Sequence, residues 1–252
     1  MASGESSAAT SDPLARAAQQ LRRARSVVVL TGAGISAESG IPTFREAQTG
    51  LWARFDASEL ATPEAFERDP QLVWSWYAWR RRLVREAQPN PGHFALTELE
   101  TRVAQFTLVT QNVDGLHQRA GNRRVIEYHG SLMRTLCSRE GITIADAVED
   151  ETLPRCHRCG APGRPGVVWF GELIPAEALE CSASAARECN VFMSVGTSSL
   201  VYPAAGLAEA ALRAGAYVIE VNPAATPLTR LADAVLRGPS GTVLPALLDA
   251  MH

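Results

Sequence analysis

The chain has 252 residues, of which 46% are hydrophobic, and its formal net charge is −3. This length suits one large domain, or a large and a small domain, around a buried core. The weakly acidic balance gives no reason to expect a nucleic-acid partner, and no stretch approaches the roughly 20 apolar residues that span a membrane.

The N-terminus and the cysteines favour a cytoplasmic protein. Residues 1–12 are small and polar and lack an apolar segment, which predicts a mobile tail rather than a signal peptide. An odd count of five cysteines argues against a disulfide framework. Cys156 and Cys159 form a C-x-x-C pair that could be half of a zinc site, whereas Cys181 and Cys189 are predicted to be buried thiols of a helix.

Apolar runs and helix-start signals predict alternating strands and helices. Helices are predicted over residues 14–25, 71–87, 93–102, 176–188 and 207–214, with a short one near 62–66. Strands are predicted over residues 27–30, 106–109, 125–128, 191–195, 217–221 and 234–236. This alternation predicts an α/β fold with a doubly wound, Rossmann-like parallel sheet.

Two segments of different character predict a smaller inserted domain. Residues 46–95 form an irregular stretch followed by a helical module, and residues 131–166 hold three cysteines with little periodicity. The large domain then comprises residues 13–45, 96–130 and 167–252.

A glycine-rich turn follows the first strand. Gly32, Gly34 and Ala37 fit the spacing G-x-G-x-x-G/A of a dinucleotide-binding turn, whose backbone N–H groups at a helix start hold a pyrophosphate. A purely structural turn explains the same spacing. An ordinary dehydrogenase has an acidic residue about 20 residues further on, at the end of its second strand. Because that feature is missing here, a dinucleotide would be held in another way.

Other polar residues follow the predicted strands, where parallel sheets bind ligands. Asn112 and Asp114 could serve such a site or simply cap the next helix. His129 has a pKa range that suits proton transfer, and Gly130 after it would leave room for a substrate. A lone histidine can equally be a structural hydrogen-bonding residue. Neither a G-x-S-x-G elbow nor a Ser-His-Asp order is present, which disfavours a serine hydrolase.

The helix predicted over residues 71–87 carries a charge on its apolar face. At about 100° per residue, one apolar arc collects Leu72, Val73, Trp76, Trp79, Leu83 and Val84. Arg80 falls inside this arc and Tyr77 at its edge, whereas Arg81, Arg82 and Arg85 are predicted to face solvent. Since an arginine among apolar neighbours needs an anionic partner, Arg80 is a candidate ligand-binding residue.

Six motifs in this order resemble the sirtuin family of NAD-dependent protein-lysine deacylases. They lie at residues 32–36, 40–45, 111–114, 129–130, 168–172 and 196–198, and the resemblance covers roughly residues 13–250. It implies that the large domain binds NAD and that acylated lysines of proteins are the substrates, with no nucleic acid or membrane as partner. The implied products are free lysine, nicotinamide and 2′-O-acyl-ADP-ribose.

The resemblance also implies roles for single residues. His129 would be the general base toward a ribose hydroxyl, with Asn112 and Asp114 beside it in the catalytic site. The NAD site would comprise Gly32, Ala33, Gly34, Phe44, Arg45, Gln111, Asn112, Asp114, Gly196, Thr197, Ser198, Asn222 and Ser240. The substrate peptide would pair as an added strand with Val168, Trp169, Phe170 and Gly171.

Tyr77 and Arg80 resemble the Tyr-x-x-Arg pair of class III sirtuins, which binds the carboxylate of succinyl, malonyl or glutaryl lysine. Ala37 also matches that class and would leave space in the acyl pocket. The expected activity is therefore removal of succinyl and malonyl groups and, more weakly, of acetyl groups. The alternatives are a protein that is mainly a deacetylase and a non-catalytic module that binds NAD or ADP-ribose.

The cysteine module departs from the family pattern of two C-x-x-C pairs. The first pair here reads Cys137-Ser138-Arg139-Glu140, so one thiol is missing. Cys137, Cys156 and Cys159 could still bind zinc in a ribbon-like module, with Glu140, His157 or water as the fourth ligand. A metal-free module held by packing is the alternative.

Overall fold

The computed structural model describes residues 12–42, 56–145 and 152–252. The predicted mobile tail therefore lies, apart from its last residue, outside the described residues, and so do Phe44 and Arg45. Asp12 begins the described chain as the N-cap of the first helix, where its side chain accepts a hydrogen bond from the N–H of Leu14. Pro13 occupies the first helical position, which suits its fixed φ.

Strands and helices alternate along the described residues, as predicted. The helices are α1 (Pro13–Arg23), α2 (Ala57–Leu60), α3 (Pro63–Arg68), α4 (Pro70–Glu86), α5 (Pro91–Arg102), α6 (Leu116–Ala120), α7 (Ala176–Glu188), α8 (Ala205–Arg213) and α9 (Ser240–Asp249). The strands are β1 (Ser26–Thr31), β2 (Gln105–Thr110), β3 (Val125–Glu127), β4 (Gly130–Cys137), β5 (Gly163–Val167), β6 (Val191–Val195), β7 (Tyr217–Val221) and β8 (Ala234–Leu236). None of the described helices combines the length and the apolar character needed to cross a membrane.

The main sheet of the described chain has six parallel strands in the order β3-β2-β1-β6-β7-β8. Val29 of β1 lies opposite Leu108 of β2 on one side and Met193 of β6 on the other. Counted along the chain, these six strands follow the Rossmann order 3-2-1-4-5-6, which confirms the predicted doubly wound fold. The order reverses between β1 and β6, so a crevice opens at the carboxyl ends of these two strands.

The central strand β1 contributes to two cores because its side chains alternate between the faces of the sheet. Val27 and Val29 pack into a cluster with α1, α5 and α9. Val28 and Leu30 pack into a second cluster with α7 and α8. Burial of such a side chain contributes about 1.5–3 kcal/mol, so β1 holds both helical layers on the sheet.

A smaller unit combines α2–α4 with the antiparallel pair β4–β5. Its core contains Trp76, Tyr77, Leu132 and Val167. α4 starts where the side chain of Asp69 accepts from the N–H of Leu72. The two pieces of this unit come from separate stretches of the chain.

Arg81 corrects one prediction about α4, because it is buried rather than solvated. The β4–β5 register shifts between Ser131 and Thr135, which disturbs the regular ladder there. Arg81 Nε donates to the carbonyl of Leu132, and its Nη2 donates to the carbonyl of Arg134 and to Thr135 Oγ1. These acceptors replace water around its guanidinium and tie α4 to β4.

Other parts of the chain also differ from the expectation. α9 is not predicted because Gly241 and Pro245 weaken the helical signal, yet its leucines bury against α1 and α5. The segment expected to lack regular structure contains most of β4 and β5. The predicted boundary at residues 95 and 96 falls inside α5, whose Leu96 and Leu99 belong to the large unit. Cys181, expected to be buried, is exposed on α7.

Candidate active site

A cavity of about 1560 Å³ lies at the carboxyl ends of the central strands. Of the predicted residues, it is lined by Gly32, Ala33, Gly34, Tyr77, Arg80, Gln111, Asn112, Asp114, His129, Val168, Trp169, Phe170, Gly171, Gly196, Thr197, Ser198 and Asn222. The structure therefore brings most of the predicted NAD, catalytic and substrate residues to one place. Ala37, which is exposed, and Ser240, which is buried at the start of α9, are not among its lining residues.

Two glycine turns interlock at the floor of this cavity. Gly32 donates its N–H to the carbonyl of Val195, and Gly34 donates to the carbonyl of Gly196. A Cβ on Gly34 would lie 2.7 Å from the carbonyl oxygen of Gly196. These glycines thus let the turns after β1 and β6 touch, and their two N–H groups already donate within the chain. Ala33 lines the cavity, and its N–H has no acceptor among the described residues.

Side chains that follow β2 hold these turns together. Gln111 Nε2 donates to Thr197 Oγ1 over 2.9 Å, which joins the turn after β2 to the turn after β6. Asn112 Nδ2 donates to the carbonyl of Gly32 and to Ser36 Oγ, both at 3.1 Å. Neighbouring strand ends are therefore linked by side-chain amides, and this linkage fixes the shape of a nucleotide-sized crevice.

Asp114 is a buried carboxylate of the same network. Its Oδ2 accepts from Ser36 Oγ at 2.8 Å, and its Oδ1 accepts from the N–H of Leu116 at 2.9 Å. Burial raises the pKa of Asp114, while these two hydrogen bonds and the nearby charges of Arg80 and Arg119 oppose that shift. Asp114 thus accepts from the first residue of α6 and places a carboxyl group at the cavity wall.

His129 lies between β3 and β4, and the backbone sets its tautomer. Its Nδ1 is 3.0 Å from the carbonyl oxygen of Gln111, which can only accept a hydrogen bond. Nδ1 therefore carries the proton, and Nε2 is left as the basic nitrogen in a residue that lines the cavity. Burial lowers the pKa of His129, and the contact with Gln111 opposes this, so the ring is neutral at pH 7.

Gly130 has a different role from the one predicted. Its φ is +78°, and a Cβ there would collide with the carbonyl oxygen of Gly166 on β5. The glycine is required for the close approach of two strands, so it does not serve to leave space for a substrate.

The acyl-recognition pair predicted on α4 lines the same cavity as His129. The guanidinium of Arg80 lies 5.0 Å from the centre of the Trp76 ring and 5.9 Å from that of Tyr77. Burial lowers the pKa of Arg80, while Tyr77 and Asp114 oppose that shift. Burial also raises the pKa of Tyr77 to about 12, so its hydroxyl remains protonated at neutral pH.

The segment proposed to hold a peptide follows β5. Val168 donates its N–H to the carbonyl of His129, and Phe170 donates to that of Ala61. The N–H of Trp169 donates to Glu172 Oε2. A peptide that pairs with this segment would therefore donate to its carbonyl groups rather than accept from these three N–H groups.

An ion pair that the sequence did not reveal braces this segment. Arg164 Nη1 and Nη2 contact Glu172 Oε1 and Oε2 at 2.6 and 2.8 Å in bidentate fashion. Arg164 Nη2 also donates to the carbonyl of Val167. Glu172 belongs to the motif at residues 168–172, but the sequence gives no sign that Arg164, eight residues earlier, is its partner.

The three cysteines of the small unit come together as predicted. The sulfur atoms of Cys137, Cys156 and Cys159 lie within 4.8 Å of one another, and those of Cys137 and Cys159 are 3.5 Å apart. Zinc with Zn–S bonds of about 2.3 Å separates tetrahedral thiolates by about 3.8 Å, so these residues fit the metal.

Two similar turns, one after Cys137 and one after Cys156, indicate which residue lies at the fourth ligand position of this cluster. Gly141 donates to the carbonyl of Cys137 and Gly160 to that of Cys156, both at 2.9 Å and both with positive φ. Glu140 therefore occupies in the first turn the place that Cys159 occupies in the second. Its carboxylate lies 3.5 Å from Arg158 Nε, at the edge of the cluster. His157 is exposed.

Comparisons with known proteins find one matching family and many relatives of this chain. A family model described as the Sir2 family matches residues 32–203. An NAD-dependent protein deacylase of Methylococcus capsulatus is 50% identical over 241 residues, which are 92% of this chain and 94% of the relative. A crystal structure of a Sir2 homologue with NAD is 44% identical, with a TM-score of 0.87 and 93% of both chains covered. A Sir2 structure with a deacetylated p53 peptide and 3′-O-acetyl ADP-ribose is 30% identical, with a TM-score of 0.81 and coverages of 92% and 96%.

Proposed function

We propose that this protein removes succinyl and malonyl groups from lysine in preference to acetyl groups. The proposal starts from the family: the chain belongs to the Sir2 family and is an NAD-dependent protein deacylase. The observation that carries the proposal is the position of Tyr77 and Arg80. Both side chains line the cavity that also contains His129. The same cavity thus offers a cation, a hydroxyl donor and a base.

NAD supplies the ribose that receives the acyl group. We assign its binding to the interlocked glycine turns and to the amides of Gln111 and Asn112, because these groups surround the crevice at the reversal of the sheet. The relative solved with NAD supports NAD as the ligand of this fold.

His129 acts as the general base in this proposal. Its Nδ1–H is held by the carbonyl of Gln111, so the neutral ring presents Nε2 to a hydroxyl in the cavity. Proton uptake at Nε2 gives an imidazolium whose Nδ1–H bond to the carbonyl becomes charge-assisted and stronger. Asp114 and Asn112, which line the same cavity, are fixed by their hydrogen bonds to Ser36.

The acyl end of the substrate meets Tyr77 and Arg80. A succinyl or malonyl group ends in a carboxylate, which accepts from the fork of Arg80 and from the hydroxyl of Tyr77. An acetyl group ends in a methyl and accepts from neither. Charge-assisted hydrogen bonds are worth about 1.5–3 kcal/mol, so the expected preference in kcat/KM is roughly 10- to 100-fold.

The lysine-bearing peptide lies along residues 168–171. We propose that it adds a strand there by donating to carbonyl groups, since the N–H groups of Val168, Trp169 and Phe170 already donate within the chain. The half-exposed ring of Phe170 offers apolar contact beside the peptide. The relative solved with a deacetylated peptide supports a peptide substrate.

The test measures kcat/KM on one peptide carrying acetyl-, malonyl- or succinyl-lysine. Arg80→Met should lower desuccinylation by roughly 10- to 100-fold and leave deacetylation unchanged or raised. Tyr77→Phe should have the same effect more weakly. Arg82→Met is the matched control, because Arg82 is exposed on the same helix and does not line the cavity.

Two results would contradict the proposal. If Arg80→Met reduced activity on all three peptides by the same factor, Arg80 would serve the fold of the small unit rather than the acyl group. If the unmodified enzyme turned over acetyl-lysine best, the protein would be mainly a deacetylase.

A further inference from the structure

We propose that Trp169 is a positioning residue for acidic acyl groups, because its indole N–H fixes the direction in which Tyr77 donates its hydroxyl proton. The inference rests on the proposed function and deepens it. It adds to the acyl-recognition pair a third residue from a different part of the chain.

The chemistry of the two groups sets the direction of their hydrogen bond. Trp169 Nε1 lies 3.0 Å from the hydroxyl oxygen of Tyr77, and both side chains are buried. An indole nitrogen can only donate, whereas a phenol can donate one proton and accept through its lone pairs. Tyr77 is therefore the acceptor in this contact, whatever the positions of the hydrogens, and its own proton points elsewhere.

The hydroxyl proton of Tyr77 is left for a ligand. Within the described residues, no acceptor takes it, and Tyr77 lines the cavity beside Arg80. The raised pKa, about 12, keeps the proton in place at neutral pH. Tyr77 thus presents one donor to the acyl pocket while its lone pair is occupied by the indole.

The indole itself is held at several points. The guanidinium carbon of Arg164 lies 3.6 Å from the centre of the Trp169 ring, and Phe66 packs against that ring at 5.2 Å. Glu172 accepts from the N–H of Trp169 and also binds Arg164 in bidentate fashion. Because its ring and its backbone are both fixed, the indole N–H has one direction, and it imposes that direction on Tyr77.

A donor that is oriented before binding loses less freedom when the acyl carboxylate arrives. Without the indole N–H, the phenol proton can rotate toward other orientations, and a buried lone pair loses its partner. Only acyl groups with an acceptor at the far end feel this change. The structure thus connects the peptide-binding segment, which contains Trp169, to the acyl specificity set by α4.

The test compares Trp169→Phe with the unmodified enzyme on succinyl and acetyl forms of one peptide. Phenylalanine keeps a ring for stacking on Arg164 and removes the N–H. One hydrogen bond corresponds to a fall of roughly 3- to 10-fold in the ratio of kcat/KM for the succinyl peptide to kcat/KM for the acetyl peptide, on top of any loss that both peptides share through the peptide-binding segment. Trp74→Phe is the matched control, because it removes an indole N–H from the same unit beside Arg81, away from the cavity.

A double-mutant cycle isolates the contact. In the Tyr77→Phe background there is no hydroxyl to orient, so adding Trp169→Phe should have no further effect on the succinyl-to-acetyl ratio. If Trp169→Phe destabilises the protein, 3-benzothienylalanine at position 169 keeps the shape of the indole and replaces the N–H by sulfur. The same loss of selectivity is expected from that variant.

The outcomes separate this inference from the proposed function. An enzyme that prefers succinyl-lysine and loses this preference through Arg80→Met, but keeps it in both variants of residue 169, would overturn the role of Trp169 alone. An equal loss on the two peptides would also overturn it. An unmodified enzyme without preference for acidic acyl groups would remove the proposed function and this inference together.

Discussion

Acidification from pH 8 to pH 5 should destabilise this protein through two buried histidines, His93 and His117. Their rings are 0% and 1% exposed, and the ring centres are 4.9 Å apart. His117 Nε2 contacts Thr31 Oγ1, whereas His93 Nε2 and His117 Nδ1 have no partner within the described chain. Burial lowers the pKa of His93 to about 4 and that of His117 to about 3, and His93 adds to the shift of His117.

The sign of the effect follows from proton binding. The folded pKa of each histidine lies below 6.5, its ordinary value, so the unfolded chain binds more protons as the pH falls. The two histidines therefore leave the free energy of unfolding unaffected above about pH 6.5, and they lower it progressively as the pH falls toward 4 and 3. At pH 5 each unfolded histidine is about 1.5 pH units below its pKa, which corresponds to about 2 kcal/mol per histidine.

Urea unfolding followed by circular dichroism at pH 8, 7, 6 and 5 measures this loss. The comparison protein carries His93→Gln and His117→Gln. Glutamine at position 93 can still accept from the N–H of Asn90, as in a capping box. Other titrating groups, including Asp114 with its raised pKa, are present in both proteins and cancel in the difference. The unmodified protein should lose about 4 kcal/mol more than the variant, and parallel curves would refute the reasoning.

Two further predictions concern the base and the metal. His129→Ala should lower deacylation by about 100-fold or more with little change in NAD affinity, and near-normal turnover in this variant would exclude His129 as the base. Because burial lowers the pKa of His129, kcat/KM of the unmodified enzyme should decline only below pH 6.5. Elemental analysis should find close to one zinc per chain, and carefully purified protein without metal would contradict the site. Cys156→Ser should lower both zinc content and thermal stability. Glu140→Cys should raise zinc affinity because it completes a set of four thiolates.

Local patterns predict the large unit well because its elements are decided by neighbours in the sequence. The run Val27–Leu30 is apolar on both faces, and only a strand covered by helices on both sides buries such a run. The same kind of signal operates in the smaller unit, where the side chains of Thr62 and Asp69 cap α3 and α4 by accepting from the N–H groups of Ala65 and Leu72. Helix caps and buried apolar runs are short-range signals, so they can be recognised in the sequence without knowledge of the fold.

The predictions that the structure corrects depend on partners far away in the chain. Arg81 is buried because carbonyls of β4, about 50 residues later, accept its hydrogen bonds. Gly130 is needed because Gly166 approaches it across β4–β5. Helical periodicity places Arg81 away from the apolar arc, but it carries no information about polar acceptors on a distant strand. The interlocking of Gly34 with Gly196 has the same origin.

The candidate acyl-binding residues and the candidate base come from different units, so acyl preference can change while the deacylation chemistry stays the same. His129 follows β3 of the main sheet, and its tautomer depends on the carbonyl of Gln111, which directly follows the neighbouring strand β2. Tyr77 and Arg80 come from the smaller unit, where Arg81 ties their helix to β4, the strand that ends at Cys137. A change on α4 therefore alters the part of the cavity that we propose to hold the acyl group, without touching the hydrogen bonds of His129, the proposed base. Because β4 joins α4 to the cysteine cluster, loss of metal should disturb acyl selectivity before it disturbs the orientation of His129.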